Sequence, residues 1–155
     1  MLHNKQVSII NNWIVALSNF LVFIFSPQLT KQDFCLILFP ATASFLFHLS
    51  ETDHGLPGVK PFSKYTTLLY WIDIFAVIFS GTIMFASFPN IEDKEMFLIK
   101  FLFGLLFLAI SEIHLIFQFF WKKSVIADTG LYVWAHSIWH ITAFVCYQKA
   151  LDTLN

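Results

Sequence analysis

Charged residues are scarce in this sequence. Only 12% of the 155 residues are charged and 57% are hydrophobic, whereas an ordinary soluble domain is about one quarter charged. So few charges cannot cover the surface of a water-soluble globule. The chain also has 20 phenylalanines and 5 tryptophans, which lipid tolerates on a protein surface better than water does. The composition therefore predicts an integral membrane protein.

Arginine is absent, and the charges nearly cancel to a net charge of −1. Without a basic stripe the chain is not expected to bind nucleic acid, and its hydrophobicity excludes a disordered protein. The two cysteines, Cys35 and Cys146, fit neither a CxxC motif nor a disulfide framework. Abundant Phe, Ile, Asn and Lys without Arg is typical of an AT-rich genome, so we expect a protein of the bacterial inner (plasma) membrane.

Apolar runs divide the chain into about five segments. A helix that crosses the bilayer needs roughly 20 residues, so the length accommodates about five spans but not seven. No linker separates two domains, and residues 1–155 are predicted to form a single all-α transmembrane helix bundle. The first run is long, contains Asn11, Asn12 and Asn19 and has no small-residue cleavage site, which favours a retained span over a signal peptide. The predicted spans are residues 7–26, 34–50, 66–88, 96–121 and 131–147.

The fourth run leaves two interpretations open. It is either one long tilted helix or a hairpin broken near Ser111 and Glu112. With five spans, the two sides of the membrane carry almost equal numbers of lysines, and the positive-inside rule places the N-terminus in the cytoplasm by a difference of one. The cytoplasmic lysines are then Lys5, Lys60, Lys64, Lys122 and Lys123, against Lys31, Lys94, Lys149 and the nearby Lys100.

Ionisable residues inside the spans are candidates for function, because burying such groups in hydrocarbon costs about 3 kcal/mol each. Two pairs have the i, i+4 spacing that places side chains on one helical face: Ser44 with His48, and His136 with His140. The full set of ionisable residues is His48, Asp73, Lys100, Glu112, His114, His136 and His140. Glu112 and His114 are two positions apart and so point to different faces, which favours ordinary interhelical hydrogen bonds. Lys100 is expected to snorkel or to pair with an acid.

The histidine spacing predicts a metal site. His136 and His140 can bind one ion together, and His48 would complete a three-histidine zinc site with a fourth position open for water. Asp73 would orient that water or accept its proton. These groups reach one layer only if residues 96–121 form a single helix. For one ion to reach all three histidines, they must also lie at the same depth in the membrane. This requires the second span to continue past Ser50 to about Asp53.

These residues resemble the CREST superfamily, which includes the alkaline ceramidases, the adiponectin receptors and the GPI-processing Per-type proteins. The resemblance rests on Ser44-Phe-Leu-Phe-His48, on Asp73 in the next span, and on His136-Ser-Ile-Trp-His140 in the last. The branch with myomaker and the GPI-specific phospholipase A2 is most similar, since an acidic Pro-Gly loop follows the second-span histidine there, as residues 51–58 do here. The matching segments cover somewhat under a third of the chain.

The resemblance implies a zinc ion held by His48, His136 and His140, with Ser44 and Asp73 acting around it, and hydrolysis of an amide or ester bond in a lipid taken from the bilayer. The family has seven spans, so this chain would be a shortened member whose cavity is open on one flank or completed by a second copy. Two alternatives remain: a non-catalytic structural or receptor-like protein stapled by zinc, and a b-type haem electron carrier using His48 and His140.

Overall fold

The fold is known from a computed structural model that describes residues 2–25, 29–113 and 128–154, with side chains from Ile9 onwards. Helices account for all the regular structure of these residues, as the sequence predicted, and no strand occurs among them. Two 3-10 turns flank one helix, with Phe62–Lys64 just before residues 66–87 and Phe88–Asn90 just after them. The α-helices are α1 (Leu2–Ser18), α2 (Leu21–Phe25), α3 (Lys31–Ser50), α4 (Thr66–Ser87), α5 (Lys94–Ser111) and α6 (Thr129–Leu151).

Two helical segments in the described residues are long and apolar enough to cross a membrane by length and composition. They are α3, of 20 residues, and the 25-residue segment Thr66–Asn90 formed by α4 and its 3-10 turn. The outer face of α4 is strongly apolar, because Trp71, Phe75 and Phe85 are 62%, 62% and 84% exposed. An apolar surface of this kind is unfavourable in water and stable against lipid.

The bundle segments run in alternating directions, which brings one end of each helix to a common layer. The side chain of Asn12 in α1 contacts the end of α3, where its Nδ2 atom donates to the carbonyls of His48 and Glu51. The C-terminal residue of α5, Ser111, contacts His136 in α6. Thr129, the first residue of α6, donates a hydrogen bond to the carbonyl of His54 in the loop after α3. The ends of α3 and α5 and the first half of α6 therefore meet.

The first predicted span is interrupted in the structure. α1 ends at Ser18 and α2 begins at Leu21, because the side chains of Ser18 and Asn19 turn back to bond the carbonyls of Val15 and Ala16. Such bonds compete with helix propagation. Residues 26–28, the end of the predicted run, lie outside the described residues.

The expected extension of α3 to Asp53 is wrong. The helix ends at Ser50, and Glu51 is extended with φ −60° and ψ 129°. The side chain of Asn12 satisfies two of the carbonyls that this ending releases. The histidines still meet, because α6 begins beside His54 rather than level with Ser50 and so starts beyond the end of α3.

The fourth predicted span also ends earlier than a single helix to Trp121 requires. α5 ends at Ser111, and the backbone N–H of Glu112 is shared between the carbonyls of Ile110 and Leu108, as in a closing turn. Residues 114–127 lie outside the described residues. α5 thus ends where the hairpin interpretation placed its break, and this end lies in the histidine layer. α6 begins in the same layer, beside His54, as the single-helix interpretation required.

Close packing joins α5 to α6 at one glycine. A Cβ atom added to Gly104 would lie 2.5 Å from Oγ1 of Thr142 and 3.2 Å from Cε3 of Trp139. Only a residue without a side chain permits this approach, as is common between helices in membranes.

Candidate metal centre

Three histidines from two helices form a buried cluster. His48 lies at the end of α3, and His136 and His140 lie one turn apart on α6; their exposed fractions are 1%, 9% and 4%. One ring nitrogen from each lies within 4.8 Å of the other two. The structure thus brings together the three residues that the sequence predicted as metal ligands.

Each ring is oriented by a hydrogen bond at its Nδ1 atom. Ser18 lies 2.8 Å from Nδ1 of His140 and gives its own hydrogen to the carbonyl of Val15, so its oxygen accepts from the ring. Ser111 acts in the same way on His136, at 3.1 Å, because its hydroxyl donates to the carbonyl of Leu108. These bonds place the ring proton on Nδ1 and leave the lone pair of each ring on Nε2, which in His140 lies 3.5 Å from the Ser44 hydroxyl.

His48 follows the same pattern with a carboxylate. Its Nδ1–H donates to Oε2 of Glu51 at 2.7 Å. Its Nε2 is buried and has no hydrogen-bond partner in the described part of the chain. A buried polar atom without a partner is costly in free energy, and a bound ion would satisfy it.

This donor set fits a divalent metal such as Zn²⁺. Imidazole nitrogens suit zinc, and metal-bound histidines usually donate their second ring N–H to a carboxylate, carbonyl or hydroxyl. All three histidines have such a partner at Nδ1, and these hydrogen bonds set the orientation of the three rings.

A large apolar cavity opens beside the cluster. It has a volume of about 910 Å³ and is bounded by α3, α4, α5 and α6. Ser44 and Asp73 face it together with the three histidines, so all five predicted site residues line one space. Ser44 lies 3.5 Å from Nε2 of His140 and beside the Asp73 carboxyl group. Oδ1 of Asp73 is buried and has no partner among the described residues.

A second, outer set of polar groups surrounds Glu51 in the loop after α3. Tyr132 donates to its carboxylate, 2.8 Å from both oxygens, and His54 donates to Oε1 at 2.7 Å. Burial alone would raise the pKa of Glu51, but hydrogen bonds from His48, His54 and Tyr132 hold it well below its ordinary value. The carboxylate is therefore ionised and can accept from all three donors.

His54 lies between two carboxylates. Its Nε2 donates to Oε2 of Glu112 at 3.0 Å, while its Nδ1 bonds Glu51. Burial alone would lower the pKa of His54, but the hydrogen bonds to Glu112 and Glu51 outweigh it and raise the pKa to about 9. His54 is thus a buried cation at neutral pH.

The other ionisable residues of the predicted spans are not among the three clustered histidines or the two residues beside them. Glu112 lies at its edge, with Oε1 3.7 Å from Nδ1 of His136. Lys100 lies on the exposed side of α5, and His114 falls outside the described residues. The sequence reasoning missed the partners of the ligands, which are Asn12, Ser18, Glu51, His54, Ser111 and Tyr132. The i, i+3 spacing of His48, Glu51 and His54 was the available signal.

The ring distances do not favour the haem alternative. The ring centroids of His48 and His140 are 4.8 Å apart, and His136 lies 4.8 and 4.7 Å from the same two rings. A porphyrin plane would have to lie between its two axial ligands. Three imidazoles clustered this closely leave no such space.

No protein-family model matches this chain, and neither a curated protein nor a solved structure matches it.

Proposed function

We propose that this chain is a zinc-dependent intramembrane hydrolase that cleaves an amide or ester bond of a lipid, as ceramidases and phospholipases A do. The observation that carries the proposal is the set of three buried, close-lying histidines at the polar end of an apolar cavity, each with a partner at Nδ1 and with Nε2 of His48 unpartnered among the described residues. The motif similarity to the CREST superfamily supports the same activity, in a five-span chain.

The residues around the cluster supply the other parts of a hydrolytic site. His48, His136 and His140 would hold Zn²⁺, which when bound supplies Lewis acidity and makes water a better nucleophile near neutral pH. Asp73 would accept the proton of the attacking water at its unpartnered Oδ1 atom and pass it to the leaving group. The Ser44 hydroxyl would donate a hydrogen bond to the oxygen on which negative charge develops.

The cavity fits the apolar part of a lipid. Residues of α4 line it from Thr66 to Met84, and the part beyond Asp73 is about 16 Å long at ~1.5 Å per residue. This length matches an extended chain of about 14 carbons at ~1.2 Å per bond. Its lining beyond the histidine layer is mostly apolar and includes Phe101, Leu105 and Phe144. The reacting carbonyl would therefore lie near the histidines with its acyl chain along α4.

From the exposure of its lining residues we infer that the mouth of the cavity lies between α4 and α5. Val77 and Leu105 both line the cavity, and they are 53% and 36% exposed. Near the turn that joins the two helices, Met84 and Phe88 close the gap by packing with Phe97 and Phe101. A lipid would thus enter sideways from the bilayer through the open part of the gap.

Product mass spectrometry on the reconstituted protein tests the proposal. Ceramides and phospholipids are offered to zinc-loaded wild type, Asp73→Asn, Ser44→Ala and the control Asp152→Asn, an exposed aspartate after α6. We expect turnover to fall about 10²–10⁴-fold for Asp73→Asn and about 10²–10³-fold for Ser44→Ala, with the control unchanged. The proposed hydrolase activity would be contradicted if the zinc-loaded protein released no product from any lipid class. It would also be contradicted if Asp73→Asn left turnover unchanged.

A non-catalytic zinc staple is the second candidate, favoured by the fact that the three histidines link α3 to α6. His136→Ala separates the two functions. A variant that folds but has lost both zinc and hydrolysis supports the hydrolase. A variant that unfolds, combined with no hydrolysis by wild type, supports the staple.

A further inference from the structure

The loop after α3 carries a histidine that connects two helix ends. His54 donates from Nδ1 to Oε1 of Glu51 at 2.7 Å and from Nε2 to Oε2 of Glu112 at 3.0 Å. Glu51 directly follows α3, and Glu112 directly follows α5. One imidazole therefore ties the end of α3 to the end of α5, through a contact between residues 58 positions apart in the sequence.

Both carboxylates also reach a histidine of the metal centre. Glu51 accepts from Nδ1 of His48 at 2.7 Å, and Glu112 lies 3.7 Å from Nδ1 of His136, beside Ser111. The contacts form an arc that starts at one ligand and ends at another: His48, Glu51, His54, Glu112 and His136. The third ligand, His140, is held separately by Ser18 in α1.

The backbone of His54 adopts an uncommon conformation. Its φ is +56°, in the left-handed region, and Gly55 follows with φ +77°. A non-glycine residue in this region is disfavoured and is kept only where its surroundings fix it. Here the ring stacks on Tyr132 with centroids 3.9 Å apart and planes at 5°, and the carbonyl accepts from Thr129 at 2.8 Å.

We propose that His54 is a positioning residue of the metal centre, which holds Glu51 and Glu112 in the places where they orient His48 and His136. This inference rests on the metal centre of the proposed function and not on the lipid reaction. A cation between the two carboxylates also lowers their mutual repulsion, so both can approach the ligand rings. Partners of metal-bound histidines commonly determine affinity about 10–100-fold.

Titration of the full-length protein with Co²⁺, followed by its visible absorption, tests the inference. His54→Asn is the informative variant, because asparagine tolerates a positive φ but is too short to reach both carboxylates. We expect a Co²⁺ affinity about 10–100-fold below wild type, with an altered Co²⁺ spectrum. Asp53→Asn is the matched control, since Asp53 is the exposed neighbouring residue, and it should keep both the affinity and the spectrum.

A double-mutant cycle shows whether His54 and Glu112 act through one arc. The variant that combines His54→Asn with Glu112→Gln should lose about as much affinity as Glu112→Gln alone, because residues of one network are not additive. When His54→Asn is instead combined with Ser18→Ala, which affects His140 only, the fold-losses of Co²⁺ affinity of the two single variants should multiply. If His54→Asn does not fold, Glu112→Gln carries the same test, since its side chain is 26% exposed.

The outcomes separate this inference from the proposed function. Wild-type affinity and spectrum in both His54→Asn and Glu112→Gln would overturn the positioning role and leave the metal centre intact. Wild type that binds no Co²⁺ would overturn the metal centre itself. An altered spectrum in His54→Asn without any lipid hydrolysis by wild type would support the positioning role and contradict only the enzymatic activity.

Discussion

The Nδ1 atom of His48 lies 2.7 Å from Oε2 of Glu51, at the point where α3 ends. The same residue thus stops the helix and orients a candidate metal ligand. Because Glu51 leaves the helix, its side chain can fold back over the last turn, while Asn12 satisfies the carbonyls of His48 and Glu51. The end of α3 and the metal centre are one structural unit.

Replacing Glu51 by glutamine should therefore weaken metal binding and the fold together. The amide has one acceptor oxygen where the carboxylate has two, yet His48, His54 and Tyr132 all donate to this group. We expect zinc affinity to fall about 10–100-fold and stability to fall by about 1–3 kcal/mol. Competition with a zinc chelator and thermal unfolding in detergent measure the two effects. Glu92→Gln, at an exposed acid outside the cluster, should change neither.

His54 should make the folded protein less stable at alkaline pH. Its pKa is raised from 6.5 to about 9 in the folded protein by Glu112 and Glu51. A raised pKa means that the stabilisation is fully present below pH 6.5 and is lost as the pH rises through 9. Glu51, Glu112 and Tyr132 are the titratable groups that face the ring.

Thermal unfolding of wild type and His54→Asn between pH 7 and pH 10 measures this contribution. The wild type should lose about 1–3 kcal/mol more than the variant over that range. If the stability of the two proteins changed with pH in the same way, His54 would not be protonated between its two carboxylates in the folded state.

Gly104 should be essential for the contact between α5 and α6. A methyl group there meets Oγ1 and Cβ of Thr142 and the ring of Trp139, so Gly104→Ala should lower stability by about 1–3 kcal/mol. Gly81→Ala in α4 is the matched control, because a Cβ there has no atom of the described residues within 4 Å. Equal melting temperatures for the two variants would contradict the close approach.

Closing the mouth of the cavity should stop lipid turnover without removing the metal. Cysteines placed at Val77 and Leu105, in a chain with Cys35 and Cys146 replaced, would be joined by a short bifunctional thiol reagent. We expect the cross-linked protein to keep its zinc and lose hydrolysis of bilayer lipids, while either single cysteine treated alike keeps both. Full activity after cross-linking would place the route of lipid access elsewhere.

The sequence predicted the helical class and the meeting of His48, His136 and His140, because i, i+4 spacing and apolar runs are local properties. The i, i+4 pairs fixed a shared face, and alternating helix directions then brought α3 and α6 to one layer. The prediction for His48 also depended on the number of spans, which decides whether α3 and α6 present these residues in one layer.

The partners of the ligands could not be predicted in the same way. Asn12 and Ser18 read as ordinary polar residues of a first span, since their roles depend on contacts with α3 and α6. His54 was placed outside the spans, because nothing local shows that the loop folds back over Glu51 and Glu112. The end of α3 at Ser50 was missed for the same reason, because tertiary contacts rather than propensity determine it, whereas a break near Ser111 was one of the two interpretations of the fourth run.

Metal analysis of the purified chain by mass spectrometry tests the central claim most directly. Wild type and His136→Ala are purified in detergent without added metal, and zinc is quantified per chain. We expect about one zinc ion per wild-type chain and a large loss in a folded His136→Ala variant, because the three histidines together hold the ion. Wild type without stoichiometric zinc that also fails to take up Zn²⁺ when it is offered, or zinc retained in full by the variant, would contradict it.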